Sequence, residues 1–207
     1  MVYQLKYTIT ILITLALFLV LALGYVNSGL FDSSAMTPHS KLARWALSTT
    51  MHVSVERRAR KIEVPEFTEE MRLAGANDFN SMCAACHGAP GRKPEPMGQG
   101  LNPQPPDLAE SAQHLTAAEL FWVTKNGIRM TGMPAWGISH DDASLWPVVA
   151  FMLTLPDLEA QAYQDLLIRA ERVGHHVVEG QAAHEPGELP ANGEEGTDSR
   201  KDGGHSH

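Results

Sequence analysis

Both cysteines of this chain lie two residues apart, in Cys83-Ala84-Ala85-Cys86-His87, with a histidine directly after the second. No other feature of the sequence constrains the fold as tightly. A pair at this spacing can be half of a structural zinc site, a thioredoxin-type redox couple, a small-loop disulfide, or the two attachment points of a c-type haem. Zinc wants four N or S donors, usually from two such pairs, and there is no second pair. A redox couple belongs in a βαβ pattern, which is missing here. A disulfide across two residues closes a loop too small to stabilise much. Covalent haem uses every residue of the motif. Each thiol adds to one vinyl group, and His87 is then carried beneath the iron as a neutral imidazole donor.

Upstream, Thr8 to Val26 is a run of nineteen residues without a charge. At about 1.5 Å per residue it spans roughly 28 Å, the hydrocarbon thickness of a bilayer. Tyr7 and Tyr25 stand at its ends, where aromatic rings favour the interface. A cleaved signal peptide with Ala22-Leu23-Gly24 as its small-residue site is the competing reading, but the apolar core is long for that. Residues 1–27 are therefore read as a transmembrane anchor. Residues 28–66 are a connector, polar at first. Thr37-Pro38 then suits an N-cap followed by proline at the first helical position, and predicts a helix over 38–60. Leu42, Trp45, Ala46, Thr49 and Val53 give that helix an apolar stripe, and Arg57, Arg58, Arg60 and Lys61 give it a basic end. Two uses are open for it: a spacer packed on the haem domain, or an element docked on a bilayer or a partner subunit. His39 and His52 are read as surface residues.

The haem domain is assigned to residues 67–173. Thr68 caps a helix with Glu69 and Glu70 in its first turn, and Gly75, Phe79, Met82 and Cys83 share one face. Gly88 to Pro106 is dense in Gly and Pro. It predicts an irregular loop wrapping the haem edge, one of whose carbonyls receives the second ring N–H of His87. Thr116-Ala117-Ala118-Glu119 is a capping box for a helix ending near Asn126-Gly127. Gly132-Met133-Pro134 follows, with glycine allowing close approach and proline extending the residue before it. A haem iron held by histidine on one side commonly takes a thioether on the other, which makes Met133 the candidate, with Met130 and Met97 as rivals and His114 or His140 as outside choices. A last core helix runs from Ser139–Asp142 to Leu155, interrupted by Pro147 and buried along Leu145, Val148, Val149 and Met152, with Trp146 and Phe151 as large partners. Leu158, Ala162, Tyr163, Leu166, Leu167, Ala170 and Val173 predict one more helix on the outside.

Taken together, Gly75 and Phe79, Cys83-Ala84-Ala85-Cys86-His87-Gly88, Pro105-Pro106-Asp107-Leu108, Gly132-Met133-Pro134-Ala135-Trp136 and Leu145-Trp146 resemble a class I c-type cytochrome domain. The likeness covers about residues 70–156 and is nearest to the monohaem modules of membrane-anchored cytochromes and respiratory oxidases. It implies an all-α fold whose first and last core helices cross near Gly75. It also implies one covalently attached haem c, bound through Cys83 and Cys86, with His87 and Met133 as the iron ligands. Pro147 and the helix after residue 158 depart from the family pattern.

A six-coordinate iron has no open position, so the resemblance implies an electron carrier and not an enzyme, with redox proteins and the membrane as partners. Because c-type attachment takes place outside the cytoplasm, the expected site is the inner (cytoplasmic) membrane of a bacterium, with the haem domain on its periplasmic side. A fixed cytochrome subunit of a larger oxidase or dehydrogenase is the alternative, and a haem sensor or peroxidase a further one. The net charge of -8 offers no basic field for nucleic acid. That charge is uneven: residues 28–67 are net positive, whereas 68–173 and 174–207 are acidic. Residues 174–207 are read as a disordered acidic tail, with His175, His176, His184, His205 and His207 as a weak metal-binding candidate.

Overall fold

The computed structural model describes residues 2–171. The expected tail, its five histidines and Val173 lie outside the described residues. Among those described, the structure is helical and contains no strand. The first helix, α1 (Val2–Asn27), is exposed along its length, and its Tyr3–Asn27 segment is long and apolar enough to cross a membrane. Its threonines back-bond within the helix, Thr14 Oγ1 donating to the Thr10 carbonyl at 2.9 Å, so their hydroxyls leave no unmet polar group on an apolar rod.

The connector helix α2 (Lys41–Ala59) starts three residues later than the sequence predicts. Thr37 is occupied elsewhere: its hydroxyl donates to the Asp32 carboxylate, and its carbonyl accepts from Asn102 Nδ2 at 2.9 Å. Ser40 takes over the cap, accepting from the Ala43 amide. The predicted apolar stripe is not the face that packs. Val55 and Ala59 are the buried positions, with Met51 and Ser48 half-buried one and two turns earlier. This second stripe lies against α7 (Ala117–Asn126), where Arg58 sits over the Trp122 ring at 5.9 Å from its centroid.

The core is built around the crossing of α3 (Glu69–Met82) with α8 (Asp142–Met152). Thr68 caps α3 by accepting from the Met71 amide, and Asp141 caps α8 by accepting from Ser144. The two backbones meet at Gly75 and Pro147. A methyl group on Gly75 would lie 1.9 Å from the Pro147 carbonyl oxygen, so no side chain fits there. Proline at 147 removes one helical N–H, and α8 nonetheless continues through it. Around the crossing, Phe79 meets Phe151 at 5.1 Å and Phe121 stacks on Trp146 at 3.9 Å.

The sequence predicts a buried stripe on α8. The structure buries nearly its whole circumference: the expected partner Phe151 is buried, and so are Ser144, Pro147 and Ala150. The reason is α9 (Ala160–Glu171), which packs along α3 and inserts Tyr163 against both Phe79 and Phe151. Tyr163 is fully buried, and its hydroxyl donates to Asn80 Oδ1 at 3.1 Å, which also receives Arg92 Nη2 at 2.9 Å. The outer helix is thus part of the core and tethers the segment that follows the cysteine motif.

The crossing makes a sharp prediction. Gly75→Ala should destabilise the fold by about 2 kcal/mol or more, because the added methyl meets backbone and not a movable side chain. Gly100→Ala, whose methyl would have no neighbour nearer than 3.5 Å, should leave the thermal midpoint nearly unchanged.

Candidate functional site

The cysteine motif is wound into a helical turn at the end of α3. The amides of Cys86 and His87 donate to the Cys83 carbonyl at 3.1 and 2.9 Å, and α4 (Ala84–His87) carries the last residues of the motif. Winding places Cys83, Cys86 and His87 at i, i+3 and i+4, on one side of the turn. Both cysteines are free. Cys83 is buried, and that burial, helped by the charge of Asp78, pushes its thiol up to about 12. Cys86 is half-buried. Among the described residues no group of three or more His, Cys, Asp or Glu side chains is placed to hold a metal ion, so these two thiols and the ring do not converge as ligands of a single zinc.

His87 is oriented by the loop that follows. Its Nδ1 lies 2.8 Å from the carbonyl oxygen of Pro106. An acceptor at that distance requires Nδ1 to carry the proton, which leaves the lone pair on Nε2. Burial lowers the ring's pKa, against the opposing pull of the Pro106 carbonyl and the Asp107 charge, so the neutral ring is favoured. The sequence predicts a carbonyl from Gly88–Pro106 in this role without saying which. Pro106 is placed by its successor: Asp107 caps α6 (Leu108–His114), accepting from the Ala109 amide at 2.8 Å. A helix start therefore anchors the carbonyl that faces the imidazole.

Three loops are brought together by glycine contacts. In the first, α5 (Pro96–Gln99) lays Gly98 against the motif, where a methyl would fall 2.6 Å from the Cys86 carbonyl oxygen. Three residues on, Leu101 reaches the Met133 loop, since a methyl on Gly132 would lie 2.6 Å from Leu101 Cδ1. Finally Gly127, with φ +63° at the end of α7, takes a backbone conformation suited to glycine and lies directly beneath the Met133 and Pro134 backbones. Neither α5 nor Leu101 stands out from the sequence alone. The only signal for them is the density of Gly and Pro in that loop.

The Met133 loop is closed on itself. The Ile128 amide donates to the Met133 carbonyl at 3.3 Å, the Thr131 hydroxyl donates to the Ile128 carbonyl at 2.7 Å, and the Met133 amide donates to Thr131 Oγ1 at 3.1 Å. Met133 is half-buried. The rival methionines are not: Met97 is 64% exposed, and Met130 is 78% exposed with φ +62°. Of the outside choices, His114 is exposed at the end of α6, and His140 contacts Trp136 and Ser139 Oγ.

The residues present fit a covalently attached porphyrin. Two unpaired thiols stand on one side of a helical turn, the imidazole has its outer N–H satisfied, and a thioether lies on a braced loop that touches the loop beside the motif. Residues 71–152 match the family model described as cytochrome C oxidase, cbb3-type, subunit III. No curated protein and no solved structure is matched. The matched stretch runs from α3 to the end of α8, and it is a class I c-type cytochrome domain, the kind found in monohaem subunits of such oxidases and used for electron transfer.

Thr131 is the brace to test. Thr131→Val removes the acceptor for the Met133 amide, and a lost hydrogen bond worth about 1 kcal/mol should speed hydrogen exchange at that amide about fivefold. The Gly127 amide, bonded to Val123, should exchange as before.

Proposed function

We propose that this chain is a membrane-anchored monohaem c-type cytochrome that passes single electrons in a respiratory chain. Its parts are an anchor over 1–27, a connector over 28–66, the haem domain over 67–173 and a tail over 174–207. Cys83 and Cys86 hold one haem c by thioether bonds. His87 Nε2 and the Met133 sulfur are its iron ligands. When bound, the haem supplies a centre that gains or loses one electron without making or breaking a bond to substrate.

The residues around it perform the rest. Pro106 holds the His87 proton on Nδ1 and so keeps Nε2 as the donor. The bonds among Ile128, Thr131 and Met133 keep the sulfur's loop in one shape through a change of charge at the centre. Burial by the α3–α8–α9 core excludes water from one side of the motif. The observation that carries the reading is the 2.8 Å contact between His87 Nδ1 and the Pro106 carbonyl. It gives the motif histidine the tautomer that would leave Nε2 free to hold the iron.

The exposed apolar α1 supports anchoring in the bacterial cytoplasmic membrane, and c-type attachment supports an extracytoplasmic haem domain. Membrane and redox proteins are then the partners. A fixed subunit of a larger oxidase is the second reading, favoured by the family description matched over 71–152. Mass measurement after detergent extraction separates the two, since a shuttle emerges alone.

Replacing Met133 with Ala tests the ligand assignment. The oxidised full-length protein should show the weak sulfur-to-iron band, and the reduced protein should not bind carbon monoxide at neutral pH. Met133→Ala should lose the band, bind carbon monoxide and shift to a lower potential. An unchanged band would reassign the ligand, and carbon monoxide binding by the parent protein would favour a sensor or peroxidase.

A further inference from the structure

The connector helix has two apolar faces, and the fold uses one. Ser48, Met51, Val55 and Ala59 turn toward the cytochrome domain. Leu42, Trp45 and Val53, on a different stripe together with Thr49, are 72%, 64% and 58% exposed. A tryptophan and two large aliphatic side chains on one stripe of a 19-residue helix are more than scattered surface apolar residues.

We propose that this second face of α2 lies in the interfacial layer of the bilayer, on anionic lipid, and holds the cytochrome domain against the membrane in a fixed orientation. The inference rests on reading α1 as the anchor. Three observations favour lipid as the occupant. First, only residues 28–40 separate α1 from α2, a fully extended reach of about 45 Å at roughly 3.5 Å per residue, so the helix stays near the surface that α1 leaves. The connector is also shortened by its own bonds: Asp32 accepts from the Ser34 amide and the Thr37 hydroxyl, and Thr37 is pinned to Asn102.

Second, that connector exposes Leu30, Phe31 and Met36, so apolar side chains recur between the span and the helix. Third, the charge is of the matching sign. In a chain of net charge -8, α2 carries Lys41, Arg44 and Arg57 against Glu56 alone, besides Arg58, which is engaged at Trp122 and Ser54, and Arg57 falls one turn beyond Val53 on the same side. Tryptophan at the headgroup level and basic side chains near anionic lipid are what such a surface selects. Because α2 also packs on α7, whatever fixes α2 fixes the domain.

Photo-crosslinking on the full-length, haem-loaded protein in nanodiscs of phosphatidylcholine and phosphatidylglycerol tests this. The photoreactive p-benzoyl-phenylalanine replaces Trp45, or Phe18 in α1, or the exposed Glu110 on α6. Lipid adducts at positions 45 and 18, with none at 110, are expected. Lipid at 18 with no adduct at 45, with a polypeptide adduct at 45, or with equal lipid labelling at 110, overturns the proposal while leaving the anchor intact. Loss of lipid labelling at 18 overturns the anchor reading, and the proposal with it.

Discussion

The hydrogen bond from His87 Nδ1 to the Pro106 carbonyl is the constraint on which the site depends. A histidine held only by its place after Cys86 could present either nitrogen. With Nδ1 committed, the lone pair is on Nε2, and the ring cannot turn without leaving a carbonyl unpaired. That contact joins residues nineteen apart, so its geometry is set by everything in between: the turn after Gly88, the Gly98 approach to the Cys86 backbone, and the Asp107 cap that fixes where α6 begins. The core supports the same point from behind, because the α3–α8 crossing sets where the motif starts and Tyr163 holds Asn80, which in turn holds Arg92.

Much of this is local chemistry and was legible in the sequence. The capping box of Thr116 and Glu119, the Thr68 cap and the Gly127 terminus are decided by residues within one turn of each other, and the structure has all three. Gly75 announced a close helix contact, since a helix tolerates glycine poorly without a packing reason. The misses have a common cause, a tertiary partner outrunning a local preference. Thr37 is a good cap by type, but Asp32 and Asn102 claim it, and the helix begins at Ser40's cap instead. On α8 the linear pattern shows a stripe and its large partners, but not that Tyr163 of α9 closes the remaining side against Phe79 and Phe151. Pro106, Leu101 and Thr131 act through backbone placement, which leaves only a faint mark on residue type.

The departures from the cytochrome pattern fall outside the matched stretch or at its packing centre. Pro147 sits at the crossing itself, where its carbonyl occupies the space that Gly75 leaves open. Helix α9 follows residue 152 and closes the core beside Phe79 and Phe151. The connector precedes residue 71 and is bonded to the loop beside the site through Thr37 and Asn102. These features leave Cys83, Cys86, His87 and Met133 inside the matched stretch, 71–152.

Everything proposed for this chain needs a porphyrin bonded covalently to the polypeptide. Its most direct test is the intact mass of the full-length chain, purified from a host able to mature c-type cytochromes and measured under denaturing conditions that strip a merely adsorbed cofactor. One haem added to the polypeptide mass is expected, with neither Cys83 nor Cys86 open to a thiol reagent. A bare polypeptide mass, with both thiols alkylated or joined to each other, would contradict it.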